Sequence, residues 1–319
     1  MCGTKDKLQQ IFCPYLVTIG KEKPFTKGGV ILMARQIAAV FLTWLVILQM
    51  IYPPAAYGEA NWDAQFQARI QEWMNAIAER DPQFTQWRNA RTEVQTLGAN
   101  QHQWLVSIKQ AEQQVGYMVV GETPDPAQQP QFVLLEYGVG DYILFDDAFA
   151  PREVAAEPVY DGFASHWLIA QNPSSPPQMI NAKTGEVYPS AFHANEPVMS
   201  KLSPDSVVHE GGRLTQTRIL KSGSQNPFDQ IGWMHQLYAN KRISWGQLWQ
   251  QNADQSRITY TVPLYHEQVL APYVVASLHL WNDESPYVGV WDEGLRFVPF
   301  SYAEQIGQFY LNETSSPAE

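Results

Sequence analysis

The sequence predicts an α+β fold in two domains, each with helices packed on an antiparallel β-meander, and three features carry that reading. Apolar positions Trp62, Phe66, Ile70, Trp73, Met74 and Ile77 recur at three- and four-residue steps, the period of an amphipathic helix. From Gly98 onward the chain changes to short runs rich in aromatic and β-branched residues, divided by Gly, Pro, Asn and Asp, as antiparallel strands require. The same order of helix then strands restarts after a stretch at 189–226 rich in Ser, Asn, Asp and Gly, which reads as an interdomain linker. With 319 residues, 45% hydrophobic and 17% charged, and a net charge of −11, the composition is that of a globular chain with a filled core. It excludes disorder and multiple membrane spans, and its acidity argues against nucleic acid as a partner.

The amino-terminal region is organised differently. Residues 37–52 form an apolar run interrupted only by Thr43 and Gln49, with Arg35 before it and Pro53-Pro54 after it. That order suits a secretory signal peptide at 33–58, a retained N-terminal anchor being the alternative. Small side chains at Ala56, Gly58 and Ala60 offer processing positions, so the mature chain is expected to begin at Glu59 or Asn61. Residues 1–32 lack clear periodicity. Lys27-Gly28-Gly29 can be encoded by a ribosome-binding sequence three codons before Met33, so 1–32 reads as a mis-assigned leader and Met33 as the true start. Membrane contact is then confined to the N-terminal segment, and the protein is placed outside the cell or on the outer face of the cytoplasmic membrane. Processing after Gly58 leaves 261 residues with a net charge of −15 and removes both cysteines, Cys2 and Cys13. The mature chain can form no disulfide and offers no thiol nucleophile or thiolate ligand.

In the first domain, 59–188, a helix at 62–80 capped by Asn61 ends at Asp81-Pro82, and a second helix is expected at 84–97. Strands follow at 104–108, 117–120, 132–137, 142–145, 166–170 and 179–180. The second domain, 227–311, starts with a helix from Pro227 carrying Phe228, Ile231, Met234, His235 and Tyr238, then a short helix capped by Ser244. Strands are expected at 258–264, 273–281, 287–291 and 296–300, with a last helix at 301–311 and a disordered tail at 312–319.

Two stretches resemble known families. Val115-Gly116-Tyr117-Met118-Val119-Val120-Gly121 followed by Phe132-Val133-Leu134-Leu135-Glu136-Tyr137-Gly138 resembles the hairpin of streptopain-type propeptides. Trp167-Leu168-Ile169-Ala170 followed by Ile180-Asn181-Ala182-Lys183-Thr184-Gly185-Glu186-Val187 resembles the PepSY hairpin, with Asn181 where Asp is usual. The physical content of the second motif is a tight turn: Gly185 can take positive φ while Asn181 and Thr184 hydrogen-bond backbone groups around Lys183. Such modules bind or restrain peptidases, so the resemblance implies a non-catalytic, protein-binding role. The second domain is broadly similar to a papain-like bacteriocin-processing peptidase, but the mature chain lacks the Cys such an enzyme needs.

No catalytic signature stands out. His209-Glu210 and His266-Glu267 are followed at the second zinc-ligand position by Arg213 and Leu270, and no elbow, Walker loop, calcium loop or dinucleotide motif occurs. No cofactor or metal is expected. Asp161, Ser165 and His166 supply the ingredients of a serine hydrolase, but neighbours in a strand point to opposite faces. Trp281, Tyr287 and Trp291, with Asp283 and Asp292 nearby, could form a sugar-binding platform if exposed, or core if not. The expectation is an exported, non-catalytic bacterial envelope protein that binds an extracytoplasmic protein, with a cell-wall or carbohydrate binder and a degenerate papain-like or unrecognised hydrolase as alternatives.

Overall fold

A computed structural model describes residues 55–98, 102–123, 131–151, 155–170, 177–220, 227–228, 234, 243–253 and 257–312. The leader, Met33 and the apolar run lie outside the described residues, as does the greater part of the helix expected from Pro227. Ala56, Gly58 and Ala60 fall on the first turns of helix α1 (Ala55–Arg80), which begins earlier than the expected start at 62. Among the described residues no helix is long and apolar enough to cross a membrane.

Helix α1 buries the stripe Phe66, Ile70, Trp73, Met74, Ile77 and Ala78, the face that its three- and four-residue spacing assembles. It ends where Asp81, extended at φ −114° and ψ 115°, caps a 3₁₀ helix (Pro82–Asn89) by accepting from the backbone N–H of Gln83. The helix expected at 84–97 is therefore corrected: only this 3₁₀ turn forms, and Arg91–Leu97 is strand β1. Alternating Thr92, Val94 and Thr96 favour the pleat, and all seven residues of the strand pair in register with β2 (Gln103–Gln110).

Strands β1, β2, β3 (Gln113–Thr123) and β4 (Gln131–Val139) form an antiparallel meander. The later strands are β8 (Leu214–Ile219), β9 (Arg257–Leu264), β10 (Val269–Trp281), β11 (Ser285–Trp291), β12 (Leu295–Pro299) and β13 (Gln308–Asn312). Together they make one ten-stranded sheet in the order β1-β2-β3-β4-β12-β11-β10-β9-β13, with β8 also paired to β10. A register shift after Val275 divides β10, whose first part pairs with β9 and whose second part pairs with β8. A separate three-stranded sheet contains β5 (Ala156–Val159), β6 (His166–Ile169) and β7 (Gln178–Asn181).

This topology corrects the two-domain reading of the mature chain while keeping its α+β character. Leu295, Arg296 and Phe297 of β12 pair with Val139, Gly138 and Tyr137 of β4, so strands from both expected domains share one sheet, and residues 61–319 form one compact unit. The segment at 189–226 is not a free linker where it is described. Val207, Val208, Leu214 and Leu220 are buried, and Val208 bridges to Leu134. The expected strand at 142–145 is irregular, with Phe145 at φ +55°. The expected helix at 301–311 stops as α3 (Phe300–Ile306), after which β13 pairs with β9. Phe309 is held there by ring contacts to Tyr260 and Phe300. Ser244 caps α2 (Trp245–Trp249) through a reciprocal box with Gln247.

Two hydrophobic clusters lie on the sheet. One joins α1 and the 3₁₀ helix to Val106, Met118, Leu134, Tyr137, Trp281, Tyr287 and Phe297. The other joins Leu105, Tyr117, Val119, Leu135, Val288 and Val298 to the β5-β6-β7 sheet, α2 and α3. Central strands are thus covered on both sides, which explains their nearly continuous apolar runs.

Candidate binding cleft

The β6–β7 hairpin pairs Trp167 with Ile180 and continues into the turn singled out above. Asn181 Oδ1 accepts from the backbone N–H groups of Lys183 at 2.8 Å and Thr184 at 3.0 Å. Gly185 takes φ +70°, a conformation in which a side chain is strained, and Thr184 Oγ1 accepts from the N–H of Glu186. Asn181 Nδ2 donates to the Tyr188 hydroxyl at 2.6 Å. Every polar atom of Asn181 is thereby used to aim the turn, and the residue it presents is Lys183.

Lys183 lines a cleft of about 400 Å³ between this hairpin and strands β9, β10 and β12. Its walls include Phe163, Tyr188, Leu264, Val269, Ala271 and Tyr273, and its polar lining includes Asn181, Thr184, Asp292 and Arg296. Beneath it lies a buried charge cluster. Arg296 donates from Nε to Glu136 Oε1 at 2.7 Å and from one terminal nitrogen to Glu136 Oε2 at 3.1 Å. Its other terminal nitrogen donates to Asp292 Oδ2 at 2.9 Å. The hydroxyls of Tyr117 and Tyr160 donate to Glu136 at 2.5 and 3.0 Å. The guanidinium also lies 4.5 Å from the Phe163 ring centroid. Burial alone would loosen its proton, but Glu136, Tyr117 and Asp292 outweigh that, and Arg296 stays charged well above the ordinary arginine value. Tyr117, Tyr160 and Tyr273 are pushed well above the usual phenol range, first by burial and then by the carboxylates around them.

Lys183 differs from its neighbours. It is 5% exposed, and its Nζ stands 3.9 Å from Asp292 Oδ2 and 6.0 Å from the Tyr117 ring centroid. The Asp292 distance is too long for a hydrogen bond. Burial lowers the pKa of its ammonium, and Asp292 and Glu136 recover part of that. Among the described residues neither Lys183 Nζ nor the Tyr273 hydroxyl donates a hydrogen bond to the protein.

A second polar cluster lies in the helix-side cluster and is closed. His279 Nε2 is 2.9 Å from Asp81 Oδ2, His279 Nδ1 is 2.7 Å from the Tyr137 hydroxyl, and Trp281 Nε1 donates to that hydroxyl at 3.1 Å. Asp81, Tyr137, His279 and Trp281 are all fully buried. A neutral imidazole with its proton on Nε2 satisfies every contact: it donates to Asp81 and accepts from Tyr137, which accepts from Trp281. Burial lowers the His279 pKa, with Asp81 opposing it.

The other expected sites resolve as follows. Trp281 and Tyr287 are fully buried, with Tyr287 donating to the carbonyl of Leu134, so the proposed sugar platform is not formed. Only Trp291 is exposed, at 53%. Asp283 accepts from Gln216, and Asp292 belongs to the cleft. Ser165 Oγ donates to the carbonyl of Gly162, His166 Nδ1 contacts the carbonyl of Ala164, and Asp161 Oδ1 accepts from the N–H groups of Val198 and Met199. These three are structural and do not form a triad. Among the described residues no group of three or more His, Cys, Asp or Glu side chains could hold a metal. Glu136, Arg296, Tyr117, Tyr160 and Tyr273 were not anticipated as site residues. Their signal is a single charge inside each of two apolar strands, Phe132-Val133-Leu134-Leu135-Glu136-Tyr137 and Leu295-Arg296-Phe297-Val298, where an ionised group is costly unless paired.

Comparison with protein-family models, with curated proteins and with solved structures found no match.

Proposed function

We propose that this protein is an exported, non-catalytic binding module of the bacterial envelope that holds an extracytoplasmic protein through the Lys183 cleft, in the manner of peptidase-restraining modules. The observation that carries the reading is the division of labour around the cleft. Ser165, the one serine lining it among the described residues, is bonded to a backbone carbonyl, and the phenols beside it are held in their neutral form by burial. The lining therefore supplies a shaped recess in which apolar walls alternate with placed polar groups, which suits binding, and among the described residues it brings together no hydrogen-bonded nucleophile-and-base pair of the kind acyl transfer uses. The PepSY-like turn supports the same reading because the residues that carry the resemblance form part of the cleft wall.

Filling the recess tests this. Ala271, half-buried in β10, is replaced in Ala271→Trp, and both forms are cross-linked in the native envelope. A partner captured by the parent and lost from the folded variant supports the proposal. Equal capture, or no protein captured by either form, overturns it. Export is tested separately by intact mass: a released species beginning at Glu59 or Asn61 is expected, whereas a species retaining residues 33–58 and found only in membranes would establish the anchor.

A further inference from the structure

Lys183 Nζ and the Tyr273 hydroxyl, neither of which has a protein acceptor among the described residues, line the same cleft, whereas the other buried donors without a partner, Trp167 Nε1, the Tyr265 hydroxyl and Ser301 Oγ, belong to residues that do not line it. Lys183 Nζ is cationic and its residue is buried to all but 5%; Tyr273 is half-buried. Asp292 is the nearest anionic group to Lys183, but its Oδ2 is already held by Arg296 at 2.9 Å. The ammonium can therefore turn toward a ligand without stranding Asp292. Arg296 itself has two nitrogens committed to Glu136 and does not compete.

Deepening the binding reading above, on which this rests, we propose that the cleft receives the C-terminal carboxylate of a polypeptide ending in an apolar residue, its two oxygens taken by Lys183 Nζ and the Tyr273 hydroxyl. A carboxylate offers two acceptor oxygens and no donor, which matches one charged and one neutral donor. A dianion is disfavoured, because Asp292 and Glu186 also line the cleft and a single ammonium cannot offset a second negative charge there. Phe163, Leu264, Val269 and Ala271 provide the apolar wall for the terminal side chain. The turn that fixes Lys183 is built by Asn181, so the anchor is held in advance and little ordering is left for the ligand to drive.

The probes are N-acetyl-Ala-Leu, its C-terminal amide and octanoate, titrated calorimetrically into the full-length protein. The free acid should bind saturably, with the amide at least about tenfold weaker. Lys183→Met should weaken the acid about tenfold or more, as expected for a charge-assisted hydrogen bond, and Tyr273→Phe about threefold. Thermal melts establish that each variant is folded, and Tyr273→Phe keeps the test decisive if Lys183→Met does not fold. Equal binding of acid and amide overturns the proposal, as does acid binding unchanged in the folded variants or absent altogether. Octanoate binding as tightly as the peptide would assign the cleft to a free fatty acid and overturn the polypeptide source. Should Ala271→Trp abolish partner capture while acid and amide bind alike, the protein-binding reading stands and the carboxylate assignment alone falls.

Discussion

The two sides of the large sheet bury polar groups in opposite ways. On the side of α1, Asp81, His279, Tyr137 and Trp281 form a chain in which each donor meets an acceptor and every member is fully buried. On the side of the small sheet, Glu136 and Arg296 close a comparable knot with Tyr117 and Tyr160, yet Lys183 and Tyr273 beside it keep donors with no protein acceptor among the described residues. Burial of polar groups is thus no mark of a site by itself, since the helix-side chain is a structural pin. Trp167 Nε1, the Tyr265 hydroxyl and Ser301 Oγ are also buried without a partner, so what distinguishes the cleft is that its unspent donors, one of them an ammonium, line an open recess.

The comparison breaks most severely at Arg296. Replacing it by Leu leaves Glu136 buried with two phenols and no hydrogen-bonded cation, a poorly compensated charge that should cost about 3–5 kcal/mol. Adding Glu136→Leu removes that charge and should recover most of the loss, because the two residues form one network. Urea unfolding of both variants measures this. A double variant as unstable as Arg296→Leu would show that the knot stabilises through something other than charge pairing.

His279→Leu should cost less, about 2–4 kcal/mol, because it leaves Asp81 Oδ2 and the Tyr137 hydroxyl, which the ring bridges, buried without that partner. The same residue gives this side a pH response. Its folded pKa is lowered from the ordinary imidazole value of 6.5 by burial against Phe84 and Phe297, with Asp81 opposing. The folded state therefore binds the proton less readily than the unfolded chain, and the stabilisation is present above pH 6.5 and lost as the pH falls through the lower, folded value. His166, across the sheet, is also lowered by burial, so the sharpening experiment is a melt series in His166→Gln. The acid decline should persist there; a flat profile would move it to the cleft side. Asp161, whose carboxyl is raised by burial, acts in the opposite sense as its own higher pKa is crossed.

Legibility in the sequence followed the range of the interactions. The stripe on α1, the Ser244 cap and the Asn181-to-Gly185 turn are local, and all could be read from residues a few positions apart. The switch from helix to strand at Arg91 and the strand after Gly307 depend on pairing with β2 and β9, which local spacing does not contain. The single sheet was hidden for the same reason, since β4 and β12 pair across more than a hundred and fifty residues. Half of the cleft was legible through Lys183 and its turn. The other half, Glu136 with Arg296, left only the trace of one charge in an apolar strand, and the partnership that makes those charges tolerable appears only in three dimensions.

The smallest expected effect on stability sharpens the comparison furthest. Lys183→Met keeps the length and apolar stem of the side chain and removes its charge, while Asp292 retains Arg296 as its cation. Burial lowers the Lys183 pKa, so the folded state holds this proton less readily than the unfolded chain does. The associated cost develops as the pH falls from the unfolded lysine value through the folded one, and below that value it is fully present. Removing the charge should leave stability unchanged or raise it, by up to about 2 kcal/mol on the pattern of buried ion pairs replaced by apolar side chains. At roughly 2–4 °C per kcal/mol for a unit of this size, the melting temperature should stay level or rise by several degrees. A melting temperature that fell as far as in His279→Leu would mean that Lys183 is a structural pin like His279, and the difference between the two sides would vanish. A residue whose loss costs binding while sparing the fold is the behaviour expected of a group kept for a ligand.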